Sequence, residues 1–288
     1  MSATDYAGPL WWLAYNGGCF TTPSASGPRM RLSVVLITQN EARHIEDCLS
    51  SVAFADEWIV VDSGSTDGTQ ALARRRGAQV IETTDWPGFG PQKNRALAAA
   101  TGDWVFSIDA DERVTPALAA SIRAAMAKTG SANGYKVSRL SSFCGQWMRH
   151  GDWYPDDVLR LFRRNAARFS DDLVHEQVLV DGAISQLDGE LLHESQPSLE
   201  SCLDKMNRYS SGRALQLHRA GRSGGLGKAI GHGVWAFLRG YVFKRGFLDG
   251  RMGFVVAVSI AEGTYYRYLK MDLLTRGTTT PTSASTHA

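Results

Sequence analysis

Four short apolar runs, separated by segments of helical periodicity, constrain the fold of this 288-residue chain more than any other feature. Leu32 to Thr38 (LSVVLIT) is continuously apolar and β-branched, the signature of a strand buried on both faces of a parallel sheet. A helical pattern follows, with Ile45, Leu49 and Val52 on one face. Trp58 to Val61 reads as a second strand and Ala78 to Ile81 as a third. Asp103 to Ile108 reads as a fourth, after a helix over Gln92 to Ala100. A β-α-β-α-β-α-β alternation predicts a parallel sheet with right-handed crossovers and helices on its faces.

Polar and acidic residues terminate three of these strands: Asn40-Glu41, Asp62, and Asp109 with Asp111. In open α/β sheets ligands bind beyond the carboxyl ends of the strands, so these residues share one candidate site. Asp109 and Asp111, two residues apart on an extended backbone, aim at one point. Like charges held together repel unless a cation sits between them, and oxygen-only ligands suit Mg²⁺ or Mn²⁺. The alternative is a surface turn in which one Asp caps the following helix. The glycines match neither a dinucleotide fingerprint nor a Walker phosphate loop. Asp62 is placed to accept hydrogen bonds from a ribose or base edge, or simply to form a turn.

The run Val35-Leu36-Ile37-Thr38-Gln39-Asn40-Glu41, then Val60-Val61-Asp62-Ser63-Gly64-Ser65-Thr66-Asp67-Gly68-Thr69, then Asp109-Ala110-Asp111-Glu112 resembles family 2 glycosyltransferases of the GT-A fold. Within them it is most similar to the lipopolysaccharide core β-1,4-glucosyltransferase-like enzymes. The resemblance spans about Leu32 to Lys270. It implies a nucleotide-diphosphate sugar donor, UDP-glucose first among them, a Mg²⁺ or Mn²⁺ ion, and inversion at the anomeric carbon. It places Thr38, Asn40, Glu41 and Asp62 around the nucleoside and Asp109 and Asp111 on the metal. Gly90-Pro91-Gln92-Lys93-Asn94-Arg95 also matches a family segment. Lys93, in the first turn of a helix, is a candidate phosphate contact, while Arg95 reads as a solvated cation.

After Pro116 a helix is expected to Lys128, then a strand over Gly134 to Leu140. Phe143 to Arg164 is dense in aromatics and charge, including Trp147, His150, Asp152, Trp153, Tyr154, Asp156, Asp157 and Arg160. Aromatic faces flanked by carboxylates suit sugar rings, so Trp153 to Asp157 reads as an acceptor-side loop. An inverting transfer needs a base for the acceptor hydroxyl; Glu176 is the first candidate and Asp157 the second. His175 is a candidate metal or phosphate ligand, with a structural histidine as the alternative. The His175-Glu176 pair lacks the second histidine of a zinc-protease motif. His193 reads as a strand end.

Charge is distributed unevenly. Residues 203–270 carry 12 Lys/Arg against 3 Asp/Glu, so within a total of +2 this stretch contributes +9 and the remainder −7. Apolar stripes at helical spacing (Ile230, Val234, Phe237 or Leu238, Tyr241, Val242, then Phe254, Val258, Tyr265, Leu269) run beside these cations. Basic, aromatic-rich amphipathic helices are a membrane-surface signature, with packing onto the catalytic body as the alternative. The longest apolar run there, Met252 to Ala261, is well short of the roughly 20 residues of a spanning helix. The expected organisation is a leader over 1–30, a catalytic domain over 31–197, a helical region over 198–274 and a tail over 275–288. The four cysteines are scattered and read as free thiols of a reducing compartment.

The leading expectation is thus a cytoplasmic, metal-dependent enzyme, peripheral to the inner face of the cytoplasmic membrane. It moves a hexose, glucose by the resemblance, to a lipopolysaccharide-core or other lipid-linked glycan. A heptose donor and a capsule acceptor stay open. One competing class is a catalytically inactive sugar-nucleotide binding module at the membrane surface; a nucleotidyltransferase is another, but it lacks the glycine-rich loop it would need. No nucleic-acid recognition motif is present.

Overall fold

The structure is a computed structural model that describes residues 29–128, 130, 132–170 and 176–277. The proposed leader, apart from its last residues, and nearly all of the proposed tail lie outside the described residues. Eleven strands and seven α-helices follow one another in these residues. The first half alternates as the sequence predicts: β1 (Leu32–Thr38), α1 (Ile45–Ser51), β2 (Glu57–Asp62), α2 (Thr69–Arg75), β3 (Gln79–Glu82), α3 (Phe89–Ala99) and β4 (Trp104–Ser107). Then come β5 (Glu112–Val114), α4 (Pro116–Ala127), β6 (Gly134–Phe143), β7 (Gln146–Trp147), β8 (Asp156–Arg163), β9 (Ala167–Phe169), β10 (Val178–Val180) and β11 (Ile184–Gln196). Three long helices close the chain: α5 (Leu199–Arg219), α6 (Leu226–Leu238) and α7 (Gly250–Thr275).

The main sheet has the order β3-β2-β1-β4-β8-β6-β11-β5, with β7 on β6; β9 and β10 form a separate ribbon. The β3-β2-β1-β4 half is parallel. Beyond β4 the sheet becomes mixed: β8 runs antiparallel to both β4 and β6, β11 is parallel to β6, and β5 antiparallel to β11. The chain steps from β1 to β2 to β3 in one direction, then returns to place β4 on the other side of β1. That reversal opens a crevice at the carboxyl ends of β1 and β4.

β1 explains its own composition. Leu32, Val34 and Leu36 pack into one core with α1 and α4, through Ile45, Leu49, Leu118 and Ile122. Val35 faces the opposite side, where Ala96 of α3 and Phe169 of β9 complete a second core. A strand covered on both faces has no place for alternation. α4 begins as its residues dictate: the Thr115 hydroxyl accepts from the Leu118 N–H and Pro116 occupies the first turn. Gly189 lets β11 pass against the start of α4. It has φ +94°, and a Cβ there would lie 2.4 Å from the Leu118 nitrogen.

β8 contains the irregularity that matters most. Tyr135 pairs with Leu161 and Lys136 with Leu159, so Arg160 is the extra residue of a β-bulge. Bulges re-aim a side chain out of the regular alternation. Here the bulge turns a guanidinium into the protein beneath the crevice, where Arg160 is buried.

Candidate active site

The three strand-end motifs come together at the crevice, but several of their side chains serve the protein first. Asp62, fully buried, accepts from the Thr38 hydroxyl at 2.8 Å, the Ser65 N–H at 2.8 Å, the Ser65 hydroxyl at 2.5 Å and Gln70 Nε2 at 2.5 Å. Burial alone would raise its pKa; these donors outweigh it and hold the carboxyl below its ordinary value. Asn40 is left-handed at φ 58°, and its Oδ1 accepts from the Thr66 N–H at 2.9 Å. Thr38, Asn40 and Asp62 therefore brace the 63–68 turn, fixing the shape of this side of the crevice. Glu41 is different. Burial above all, then the charges of Asp111, Asp67 and Asp109, push its carboxyl up to about 7, against the opposing pull of Arg113.

Asp109 and Asp111 do not sit on one strand face as their spacing suggests. β4 ends at Ser107, and the chain turns tightly: the Asp109 N–H donates to Glu112 Oε2 and the Glu112 N–H to the Asp109 carbonyl, both at 3.0 Å. The two residues therefore lie in a turn instead of on an extended strand, and their carboxylates meet different protein partners. Asp109 meets Lys93 Nζ at 3.2 Å and Arg160 Nη2 at 2.6 Å. Asp111, one-third exposed, meets His193 Nε2 at 3.2 Å. With Nε2–H donating to Asp111, His193 Nδ1 accepts the Ser141 hydroxyl at 2.9 Å. His193 therefore does more than end a strand.

Lys93 lies in the second turn of α3, because the helix begins at Phe89 and not at Gln92, and it is buried. Besides Asp109 it binds Glu176 Oε1 at 2.8 Å, and its ammonium stands 5.9 Å from the Phe169 ring centroid. Burial would lower its pKa; Asp109 and Glu176 outweigh burial and the nearby Arg160, and raise it. Arg95 pairs with exposed Asp85 at 2.6 Å, well away from this network.

Behind Asp109 the charges continue. Arg160 Nη2 also reaches Glu112 Oε1 at 2.5 Å, and Arg139 lies 3.4 Å from the same oxygen and 2.6 Å from Asp156. The result is one chain of alternating charge: Asp156, Arg139, Glu112, Arg160, Asp109, Lys93, Glu176. For Asp109, burial would raise the pKa, but Arg160 and then Lys93 hold the carboxyl far below the usual range. Burial likewise opposes the Arg160 charge, yet Asp109 and Glu112 raise its pKa. Opposite charges within about 4 Å in a medium of reduced dielectric keep both partners ionised.

Asp157 stands outside this charge chain. It is the second residue of β8, is exposed, and accepts from the Ser138 hydroxyl at 2.7 Å and Gln186 Nε2 at 3.1 Å. The region read as an acceptor-side loop is a 3₁₀ turn over Gly151–Trp153 followed by the start of β8. Trp153 packs edge-on against Phe143, ring centroids 5.7 Å apart. His175 lies outside the described residues.

Sequence reading gave no site role to Arg160, Arg139, Glu112 or His193. A signal existed for two of them. Arg160 interrupts an otherwise apolar strand, Val158-Leu159-Arg160-Leu161-Phe162, and Glu112 is a third carboxylate beside the Asp pair. Arg139 and His193 gave none, since only the pairing of β6 with β8 and β11 brings them in.

Among the described residues, no three His, Cys, Asp or Glu side chains form a metal cage. A small hard ion held by one or two carboxylates together with substrate phosphates needs none. Asp111 and the partly exposed Asp109 fit that mode of binding.

A half-parallel sheet with a switch-point crevice, outward carboxylates and buried cations behind them is the architecture of an α/β transferase. The chain belongs to glycosyltransferase family 2: the model of that family, "Glycosyl transferase family 2", matches residues 33–176. It is 32% identical over 254 residues to the lipopolysaccharide core biosynthesis glycosyltransferase LpsC of Rhizobium meliloti, covering 84% of this chain and 91% of that protein. It is 30% identical over 253 residues to the uncharacterized glycosyltransferase RP128 of Rickettsia prowazekii, covering 84% and 86%. Glucosyl-3-phosphoglycerate synthase from Mycobacterium tuberculosis, solved with Mn²⁺, UDP and glucosyl-3-phosphoglycerate, is 32% identical over 40% of this chain and 45% of its own. Its TM-score of 0.34 is too low to say anything about donor or metal here. The GT-A fold expected from the sequence is the fold of this chain.

Proposed function

We propose that the protein is an inverting glycosyltransferase that moves a hexose, glucose foremost, from a nucleotide-diphosphate sugar to a lipopolysaccharide-core or other lipid-linked glycan. The observation that carries this reading is Lys93, whose buried ammonium bridges Asp109 at the crevice floor to Glu176 on its rim. Together with the similarity to LpsC over most of both chains, it supports sugar transfer over mere binding, since an inactive module has no need of a carboxylate held at the rim.

The acceptor oxygen bonds to the anomeric carbon as the bond from that carbon to the diphosphate oxygen breaks. Glu176, with Oε1 held by Lys93, takes the hydroxyl proton; Asp157, already a hydrogen-bond acceptor outside the charge chain, is the second candidate. The nucleoside lies against the wall built by Thr38, Asn40, Glu41 and Asp62. Asp109 and Asp111 would hold Mg²⁺ or Mn²⁺, which when bound neutralises the charge that develops on the departing diphosphate. Lys93 and Arg160 add fixed positive charge behind it. Residues 31–197 form the catalytic unit in this reading and 198–274 a helical extension that works at the inner face of the cytoplasmic membrane. Among the described residues no helix is long and apolar enough to cross a membrane.

The test is a donor screen. Purified protein is given UDP-, GDP-, ADP- and CMP-sugars with Mg²⁺ or Mn²⁺, and hydrolysis or binding is followed. Turnover is expected with UDP-glucose and is expected to vanish in excess chelator and in Asp111→Asn, whose side chain is solvent-facing and outside the core. Full activity in chelator would remove the metal from the reading.

A further inference from the structure

In the C-terminal helices both the cations and much of the apolar stripe are exposed. Arg239 and Lys244 are about half-exposed, but they are tethered. They bind Asp152, at 2.8 and 3.0 Å, and Asp152 is nearly buried. The apolar side chains face out as well. Ile230 is 51% exposed, Val234 55%, Trp235 53%, Phe243 66%, Phe247 47% and Leu248 54%.

These side chains form one surface. Ile230, Val234 and Leu238 recur every four residues along α6 and so share a face. The helix continues through a π-turn over Arg239–Phe243, and Phe243 lies 5.6 Å from Trp235 between ring centroids. A 3₁₀ turn over Gly246–Asp249 then carries Phe247 and Leu248, and Tyr241 bridges Phe247 to Phe254 at 6.3 and 5.5 Å. An exposed apolar surface of this extent is a contact site on a soluble domain.

Its charge specifies the occupant. From Gly221 to Leu248 there is no Asp or Glu, while Arg222, Lys228, Arg239, Lys244 and Arg245 all fall in that stretch. Asp249, the next carboxylate, is buried and taken up by the backbone N–H and ring of His150, both at 2.8 Å. Lys228, Arg245 and Arg251 are exposed around the apolar face. Aromatic and branched apolar side chains rimmed by cations, with no exposed carboxylate among them, complement an apolar layer beneath an anionic surface.

We propose that the face running from α6 through the π-turn to Phe247 and Leu248 seats in the headgroup layer of an anionic bilayer. Asp152 ties the turn over Gly151–Trp153, just before Asp156 and Asp157 in the chain, to the base of that face. Docking therefore holds the acceptor side of the crevice at a fixed place relative to the lipid. This deepens the reading of a lipid-linked acceptor and rests on it for its purpose, but the binding itself requires neither donor nor acceptor.

The test is flotation of the whole protein with vesicles of equal parts phosphatidylglycerol and phosphatidylcholine, and with phosphatidylcholine vesicles alone. Three proteins are compared. One is wild type, one carries Ile230→Ser, Trp235→Ser and Phe243→Ser, and one carries Leu203→Ser and Tyr209→Ser on α5, at positions 42% and 56% exposed. Wild type should float with the anionic vesicles, and less so as salt rises. The α6 variant should partition about tenfold more weakly or worse, as expected for loss of three inserted side chains. The α5 variant should float as wild type. Urea midpoints of both variants close to wild type confirm that each is folded.

Absence of flotation at low salt, or equal flotation of wild type and the α6 variant, would overturn the proposal. So would a concentration-dependent dimer that the α6 variant abolishes without vesicle binding, which would assign the face to a second copy of this chain. A protein that floats but transfers no sugar would refute only the catalytic reading. One that transfers sugar to a soluble acceptor and never floats would refute only the docking.

Discussion

Arg160→Leu is the substitution that most directly interrogates the charge chain beneath the crevice. A single nitrogen, Nη2, carries both ion pairs of this residue, at 2.6 Å to Asp109 and 2.5 Å to Glu112. Its Nε is buried and has no hydrogen-bond partner among the described residues. Leucine fills most of the space but leaves Glu112, whose side chain is wholly inaccessible, with only the 3.4 Å contact to Arg139 and the Asp109 N–H. Asp109 suffers less, because it is partly exposed and keeps Lys93. Breaking a buried pair on one side costs about 3–5 kcal/mol, and most of that falls on Glu112. Against a total stability of about 5–15 kcal/mol this is a large fraction. In urea, with a slope of about 3 kcal/mol/M, the midpoint should fall by about 1–1.7 M.

Because both ion pairs converge on one nitrogen and Nε contributes none, Arg160→Lys should be much milder, about 1–2 kcal/mol, set by the shorter reach of the ammonium. A double-mutant cycle with Glu112→Gln isolates the pair. Glu112→Gln should be destabilising alone but should cost little more in the leucine background. Arg160→Leu within about 1 kcal/mol of wild type at unchanged slope would refute the claim that this network holds the site together.

Two further outcomes follow from the site. Glu176→Gln keeps the size of the side chain and its contact with Lys93 but removes basicity, so donor binding should persist while turnover falls by about 10²–10⁴. An active Glu176→Gln beside an inactive Asp157→Asn would give the proton-accepting role to Asp157. Asp62, whose folded-state pKa is depressed, contributes stability that is fully present above the ordinary carboxylate value of about 3.9, and that contribution is lost as pH falls through the folded value. Asp62→Asn should cost about 1–3 kcal/mol at neutral pH and flatten the acid limb of a plot of urea midpoint against pH; an unchanged acid limb would show that the carboxylate is not what the Ser65 and Gln70 donors stabilise.

The sequence by itself determined the parallel half of the sheet. β1 is apolar without interruption because it is covered on both faces, and that pattern needs no tertiary information to read. It also located the strand-end motifs, because the ends of buried strands are where polar residues can stand beside a ligand. Lys93 was legible as a cation near the start of a helix, although α3 begins three residues earlier than the sequence suggests.

What the tertiary structure decided is which way these groups face. A tight turn after Ser107, closed by Asp109 and Glu112, replaces the extended backbone that the spacing suggests and gives the two aspartates different protein partners. A bulge of a single residue in β8 turns Arg160 inward, and no local pattern announces a bulge whose cause lies in pairing with β6. The C-terminal region shows the same limit most clearly. Periodicity marks an apolar stripe and composition marks its cations, but neither says how the two are arranged. Only the tertiary structure tethers Arg239 and Lys244 to Asp152, some ninety residues earlier in the chain, at the base of an apolar face that is itself open to solvent.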